Sequence, residues 1–318
     1  MTSLEQAAPI LRAAERVMIL CHEFPDGDTL GAGSALCRGL RQLGKRAAVR
    51  CSDTPGPKYD FLFRGLADDE FEPDLVVAVD IADKSLLGEP VLSRFGGKIG
   101  LAVDHHRSGA PFAKQSYIDP TAAATCEIIY SLLNLLGVRI EKPIADALYT
   151  GVTTDTGCFK YTNTTPRTHR IAADLIEAGA DSVEIDRAMF DTKSRARLDM
   201  ESRVLSSIRF AHGGQIALIL ITKQMIAESG AIEDDLDGIA TIPRSIEGVR
   251  LGITLREKDD GAFKVSLRAH PPADASKICE RFGGGGHRGA AGCTLRLPKE
   301  EAQAQILAAA ERYLSEGV

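Results

Sequence analysis

Apolar positions along the chain follow two periods. Short continuous runs at Arg16 to His22 (RVMILCH), Leu75 to Asp80 (LVVAVD) and Lys98 to Asp104 (KIGLAVD) read as strands buried on both faces, the pattern of a parallel sheet. Between them the apolar residues recur at helical spacing. Ser3 and Gln6 stand at capping-box distance and open a helix over about residues 3 to 14. A second helix follows the loop EFPDGD and is stopped by Gly44. Further helices are predicted from near Thr121 to Gly137, from about Pro143 into TGVTTDTG, and from Pro166, with Thr165 as N-cap, to Gly179. Strands alternating with helices predict an α/β fold with a parallel sheet.

From Ser182 to about Ser207 the pattern is helical and dense in charge, which predicts an exposed connector. Strands then recur at Gln215 to Ile221, Val249 to Arg256 and Phe263 to Ala269, with an acidic helical region between them and a C-terminal helix from Lys299. The expected division is a catalytic domain over residues 1–185, a helical linker over 186–207 and a smaller α/β domain over 208–318.

The length of 318 residues suits two such domains, at roughly 150 residues each. No apolar run approaches the ~20 residues that a membrane-spanning helix needs. Glu5 and Glu15 interrupt the N-terminal apolar residues, so no secretory signal is read there, and the protein is expected in the cytoplasm. Seven cysteines are spread without a CxxC pair, which argues against a disulfide framework or a structural zinc site. A net charge of -6 offers no broad cationic field for duplex DNA, so any nucleic-acid substrate should be small.

The chemistry gathers where strands end. His22 with Asp26 and Asp28, then Asp80, then Asp104 with His105 and His106 all follow the carboxyl ends of predicted strands. In open parallel sheets those ends converge on one crevice. A DxD alone is more often a turn or a helix cap. Carboxylates grouped at three strand ends would repel one another and resist burial unless cations neutralised them. A set of His and Asp without thiolate favours Mn2+, with Mg2+ as the alternative.

These residues carry a resemblance. HxxxDxD from His22 to Asp28, the strand end at Asp80, the triplet Asp104-His105-His106, Asp155 in TGVTTDTG and the C-terminal GGGHRGAAG together resemble the DHH phosphoesterase family with its associated C-terminal domain. Length and the stretches DTGCFKYTNTTP and FDTKSRARL are most similar to the short two-domain bacterial members that act on very short RNA and on adenosine 3′,5′-bisphosphate (pAp). The resemblance implies a Rossmann-like N-terminal domain holding two Mn2+ or Mg2+ ions. His22 and Asp26 would bind one ion, Asp28 and His105 the other, Asp80 would bridge them, and Asp155 would complete the set. His106 would face the scissile phosphate and Asp104 would orient a neighbouring imidazole.

In the second domain Arg268, Gly284, Gly285, Gly286 and His287 would bind the substrate end away from the metals. The sequence departs from the family at Gly31-Ala32, where many relatives carry Ser after the glycine. The implied activity is 3′-5′ cleavage of RNA of a few nucleotides to 5′-mononucleotides, together with removal of the 3′-phosphate of pAp. A homodimer is the family habit. Two other readings stay open: a phosphodiesterase of cyclic dinucleotides such as cyclic di-AMP, and a nucleotide-binding regulator without catalysis.

Overall fold

The computed structural model describes residues 2–66, 69–106, 112–236 and 238–316. Two units emerge, Met1–Thr192 and Lys193–Val318.

In the first unit five strands lie parallel: β1 (Arg16–Leu20), β2 (Arg46–Arg50), β3 (Leu75–Val79), β4 (Ile99–Asp104) and β5 (Gln115–Ile118). Their order is β2-β1-β3-β4-β5, so the chain reverses its winding between β1 and β3. In open parallel sheets ligands sit in the crevice at such a reversal, beyond the carboxyl ends of the strands. Val17, Ile19, Val77 and Leu101 face one apolar cluster, while Met18, Leu20, Val76 and Ala102 face the other, as expected of strands covered on both sides.

Helices α1 (Leu4–Ala13), α2 (Gly27–Gln42), α3 (Thr125–Leu136), α4 (Lys142–Asp155) and α5 (Pro166–Glu177) belong to this unit. Ser3 and Gln6 close the capping box expected of them, and Thr165 closes a second one with Thr168. Leu30, Leu36 and Leu40 of α2 and Ile128, Leu132 and Leu148 of α3 and α4 fill the larger core cluster. Strands β2 and β5 carry no strong pattern, as RAAVR and QSYI show, and pairing with stronger neighbours makes them strands.

The charged segment expected to form one connector is not continuous. A helical turn at Ser182–Asp186 and a π-helical turn at Arg187–Asp191 belong to the first unit. After Thr192, Ser194 caps a new helix, α6 (Arg195–Ser206), whose Met200 and Val204 are buried in the second unit's own apolar cluster with Ile219 and Ile221.

The second unit holds a six-stranded mixed sheet built from β6 (Arg209–Ala211), β7 (Ile216–Ile221), β8 (Leu251–Glu257), β9 (Phe263–Ala269), β10 (Gly285–His287) and β11 (Ala290–Leu295), in the order β10-β11-β9-β8-β7-β6. Only β7 and β8 run parallel. Helices α7 (Lys223–Ser229), α8 (Ala275–Glu280) and α9 (Lys299–Ser315) accompany it, and the buried residues of α8 and α9 pack with Ile253, Val265 and Leu267. Among the described residues, no helix is long and apolar enough to cross a membrane.

Candidate metal centre

Three strands of the first sheet end in the residues that the sequence singles out. His22 lies just beyond β1, Asp80 just beyond β3, and Asp104, the last residue of β4, leads into His105 and His106. Asp26 caps the N-terminus of α2, accepting hydrogen bonds from the N–H groups of Asp28 (3.0 Å) and Thr29 (3.1 Å). Thr29 ties the neighbouring strand ends together: its hydroxyl donates to Val79 O at 3.2 Å and accepts from His22 N–H at 3.4 Å.

Asp80 stands at φ 59°, in the left-handed region that few non-glycine residues other than Asn and Asp adopt. The bend directs its carboxylate between two imidazoles. Asp80 Oδ2 lies 3.8 Å from His22 Nε2, and Asp80 Oδ1 lies 3.6 Å from His105 Nε2. His22 Nε2 is also 3.6 Å from Asp26 Oδ1, and His105 Nε2 is 3.2 Å from Asp155 Oδ2 at the end of α4. Asp28 is fully buried, with Oδ2 at 4.0 Å from His105 Nε2.

Three groups of potential ligand atoms result, each lying within 4.8 Å of one another: His22, Asp26 and Asp80; Asp28, His105 and Asp155; and Asp80, Asp104, His105 and His106. Asp80 and His105 each belong to two groups. The arrangement can therefore hold more than one cation with shared donors.

The protonation states reflect crowding. Burial, then the negative charge of Asp155 and Asp26, pushes the Asp28 carboxyl well above its usual range. Burial and the charges of Asp28 and Asp26 do the same to Asp80. Asp155 is pushed up to about 8 by burial and by Asp80 and Asp26. Carboxylates packed so that they resist ionising are what a divalent cation relieves, and oxygen and imidazole donors without thiolate suit Mn2+ or Mg2+. The residues present fit such ions.

The imidazoles differ. Burial works against charge on His22, yet its contact with Asp26 and the nearby Asp80 charge prevail and raise its pKa. His105 is lowered by burial and by His106, and its Nδ1 lies 3.2 Å from Ala122 O, a partner that turns Nε2 towards the carboxylates. Asp104 Oδ1 accepts from His105 N–H (2.8 Å) and His106 N–H (3.2 Å) and lies 2.8 Å from His106 Nδ1. That last hydrogen bond raises His106 to about 9. Asp104 thus fixes the His106 ring, whose side chain is 47% exposed.

Two supporting residues, Thr125 and Cys126, escape a reading of the sequence, whereas Asn163, in the stretch DTGCFKYTNTTP, already stands near Asp155 there. Thr125, at the start of α3, donates its hydroxyl to Asp80 Oδ1. The N–H groups of Thr125 (2.6 Å) and Cys126 (2.9 Å) both donate to the Asp28 carboxylate, which lies about a hundred positions away and caps the helix from outside. Asn163 Nδ2 donates to Asp155 O at 3.1 Å and to Ala123 O at 3.0 Å, joining the ends of α4 and the turn before α3. The one available signal was TAAATCE, a small-residue stretch before an apolar helix. Ala32, at the position of the expected serine, is buried in the apolar core, and Ser34 donates to Leu62 O, so neither places a hydroxyl among the clustered ligand atoms.

In the second unit Arg268 lies on β9 directly opposite Ala290, which in turn pairs with His287 on β10. Gly286 has φ 141°, and a Cβ there would meet Ala290 O at 2.6 Å, so glycine is required. A Cβ on Gly284 would lie 2.2 Å from Gly292 O, whereas Gly285 is unobstructed. His287 is exposed and Arg268 half-buried.

Residues 16–152 match the model of the DHH family, N-terminal domain, and residues 217–316 match the DHHA1 domain. A Thermus thermophilus protein named bifunctional oligoribonuclease and PAP phosphatase is 35% identical, with 97% of this chain and 93% of that protein aligned. A Bacillus subtilis protein of the same name is 24% identical over 88% of this chain and 90% of its own length. Among solved structures, an exopolyphosphatase-related protein from Bacteroides fragilis superposes with a TM-score of 0.86 at 25% identity, covering 98% of this chain and 97% of the other.

Proposed function

The chain belongs to the DHH family of phosphoesterases, and from that premise we propose that it hydrolyses very short oligoribonucleotides to 5′-mononucleotides and removes the 3′-phosphate of pAp. The observation that carries this reading is the clustering of His22, Asp26, Asp28, Asp80, His105 and Asp155 at the reversal point of a parallel sheet. Two Mn2+ ions, with Mg2+ as the alternative, would offset charge on phosphate oxygens and acidify a water molecule for attack on phosphorus. His22 and Asp26 would hold one ion, Asp28, His105 and Asp155 the other, and Asp80 both.

One bond unites the two reactions. In a 5′-phosphorylated dinucleotide and in pAp alike, water adds to phosphorus and the bond from phosphorus to O3′ breaks. The departing O3′ must gain a proton. His106, held at Nδ1 by Asp104 in a hydrogen bond that favours its charged form, would present Nε2 as the donor, either to that oxygen or to a phosphoryl oxygen. Arg268, Gly284 to Gly286 and His287 would bind the nucleotide portion. We place the activity in the cytoplasm and the protein in a homodimer without affinity for duplex DNA, which the net charge of -6 favours.

The test is product analysis of the purified protein with Mn2+ and, separately, pApA, pAp, cyclic di-AMP and pyrophosphate, each with a chelator control. Chelator-sensitive conversion of pApA and pAp to AMP is expected. Cleavage of cyclic di-AMP alone would replace this reading by one in signalling, and no turnover of any substrate would overturn it.

A further inference from the structure

Residues 119–126 run from the end of β5 into the first turn of α3, and along the way they support several of the proposed ligands. Ala122 O lies 3.2 Å from His105 Nδ1. Ala123 O accepts from Asn163 Nδ2, which also donates to Asp155 O. Thr125 donates its hydroxyl to Asp80, and the N–H groups of Thr125 and Cys126 donate to Asp28. A shift of this one segment would therefore reach His105, Asp155, Asp80 and Asp28 together.

A single side chain fastens the segment at both ends. Arg167, on the first turn of α5, directs the nitrogens of its guanidinium to different residues: Nη1 donates to Asp119 Oδ2 at 2.9 Å, Nε lies 3.5 Å from Glu127 Oε2, and Nη2 donates to Ser131 Oγ at 3.5 Å. Asp119 shapes the bend that leads to α3. Its Oδ1 accepts from the N–H and the hydroxyl of Thr121, and its carbonyl accepts from Ala122 N–H at 3.0 Å. Glu127, which follows Cys126, is fully buried. Among the described residues no other cation pairs with either carboxylate, and the bonds of Arg167 go to none of the proposed ligands. A planar guanidinium holds its donors in a fixed fork, so partners gripped at once are fixed relative to one another. Without it, Glu127 would be left as an uncompensated buried charge.

We infer that Arg167 is a positioning residue of the metal centre. By fixing Asp119 and Glu127 on either side of residues 122–126, it keeps the Ala122 carbonyl on His105 Nδ1, holds the ring proton there, and leaves Nε2 free to bind a cation. The same grip steadies the N–H groups of Thr125 and Cys126 on Asp28. The inference rests on the ligand set of the proposed function.

The experiment compares the full-length protein with Arg167→Gln, Arg167→Lys and Tyr130→Phe. Tyr130 donates to Asp174 Oδ2 at 2.8 Å and so also ties α3 to α5, but outside residues 119–126, which makes Tyr130→Phe the control for loosened packing. In chelator-treated protein, nuclear magnetic resonance of the histidine ring nitrogens should place the neutral His105 proton on Nδ1 in the native protein and in Tyr130→Phe, and on a mixture of Nδ1 and Nε2 in Arg167→Gln. Calorimetric titration should show Mn2+ bound about ten- to a hundredfold more weakly by Arg167→Gln, less so by Arg167→Lys, and with native affinity by Tyr130→Phe. At saturating Mn2+, KM for pApA should stay near the native value in every variant. A native His105 ring and native Mn2+ affinity in Arg167→Gln would overturn the inference, as would losses of equal size in Tyr130→Phe. Should Arg167→Gln not fold, Arg167→Lys decides by the same two readings. Failure of the native protein to bind Mn2+ would instead overturn the ligand set and the proposed function, since the ring measurement requires neither metal nor turnover.

Discussion

Thr125 donates its hydroxyl to Asp80 Oδ1 at 2.9 Å, and both residues are buried. The bond joins the first turn of α3 to a carboxylate held in a left-handed backbone conformation between His22 and His105. Replacing Thr125 by Val preserves shape and removes the donor. A lost hydrogen bond to a buried charge should lower kcat about ten- to a hundredfold with little change in Tm. Thr125→Ser should recover most of the activity. Steady-state kinetics on pApA decide it, and unimpaired turnover in Thr125→Val would refute a positioning role.

His106 is tested separately because, of the clustered imidazoles, it is the one held by Asp104, with the Asp80 carboxylate 3.7 Å away and the His105 ring against its edge. His106→Gln should reduce kcat about a hundred- to ten-thousandfold while KM stays near that of the native protein. A variant that lost only KM would make His106 a binding group.

Divalent ions should stabilise as well as activate, because Asp28, Asp80 and Asp155 are crowded together and resist ionising. Chelator-treated protein should lose all turnover. Mn2+ at about a hundred times its dissociation constant should raise Tm by roughly 5 to 10 °C. The increase should shrink in Asp80→Asn. A melting curve indifferent to Mn2+ would rule out cation binding by the cluster.

Glu127 supplies a pH test away from the proposed ligands. Its side chain is wholly buried, neither oxygen has a hydrogen-bond partner, and the nearest cation is Arg167 Nε at 3.5 Å. Burial raises its pKa, against the opposing influence of Thr168 and Arg167. A carboxyl with a raised folded-state value contributes most to stability below its unfolded value, about pH 4, and that contribution is lost as pH rises through the folded value. Glu127→Gln removes the ionisation, so Tm of the variant should gain on that of the native protein as pH increases from about 4 to 7. A constant difference between the two curves would show that Glu127 does not titrate in this range.

Gly27 opens α2 at a point where a Cβ would lie 2.4 Å from Thr154 Oγ1, directly before Asp155. Gly27→Ala should displace the end of α4, costing about 1–3 kcal/mol of stability and reducing activity. Adding Thr154→Ala should restore both, and a double variant no better than the single one would locate the damage elsewhere.

The strands that carry the candidate site were legible because β1, β3 and β4 are short apolar runs that each lead into a metal-binding type of residue, and the topology brings such ends together whatever lies between them. The edge strands β2 and β5 were not legible, since two arginines around RAAVR's small core and the polar QSYI acquire their conformation from neighbours. Spacing also placed the start of α3 near Thr121, whereas the helix begins at Thr125, where Asp28 receives its first N–H groups. No local pattern encodes that partner, because the two lie on different elements. Likewise the place of Arg167 becomes visible only when the fold sets α5 beside Asp119 and Glu127.

The capping of α3 by Asp28 gives this carboxylate an obligation that precedes any reaction. Before α3 docks, its first two N–H groups donate to water; once they are buried, the Asp28 carboxylate is the partner that replaces it, beside the bond from the Thr125 hydroxyl to Asp80. Folding therefore inspects the active site: a molecule that has completed its core has already positioned one of the acids on which catalysis is proposed to depend. A damaged Asp28 would show itself first as a protein that is poorly made, and only second as one that is slow.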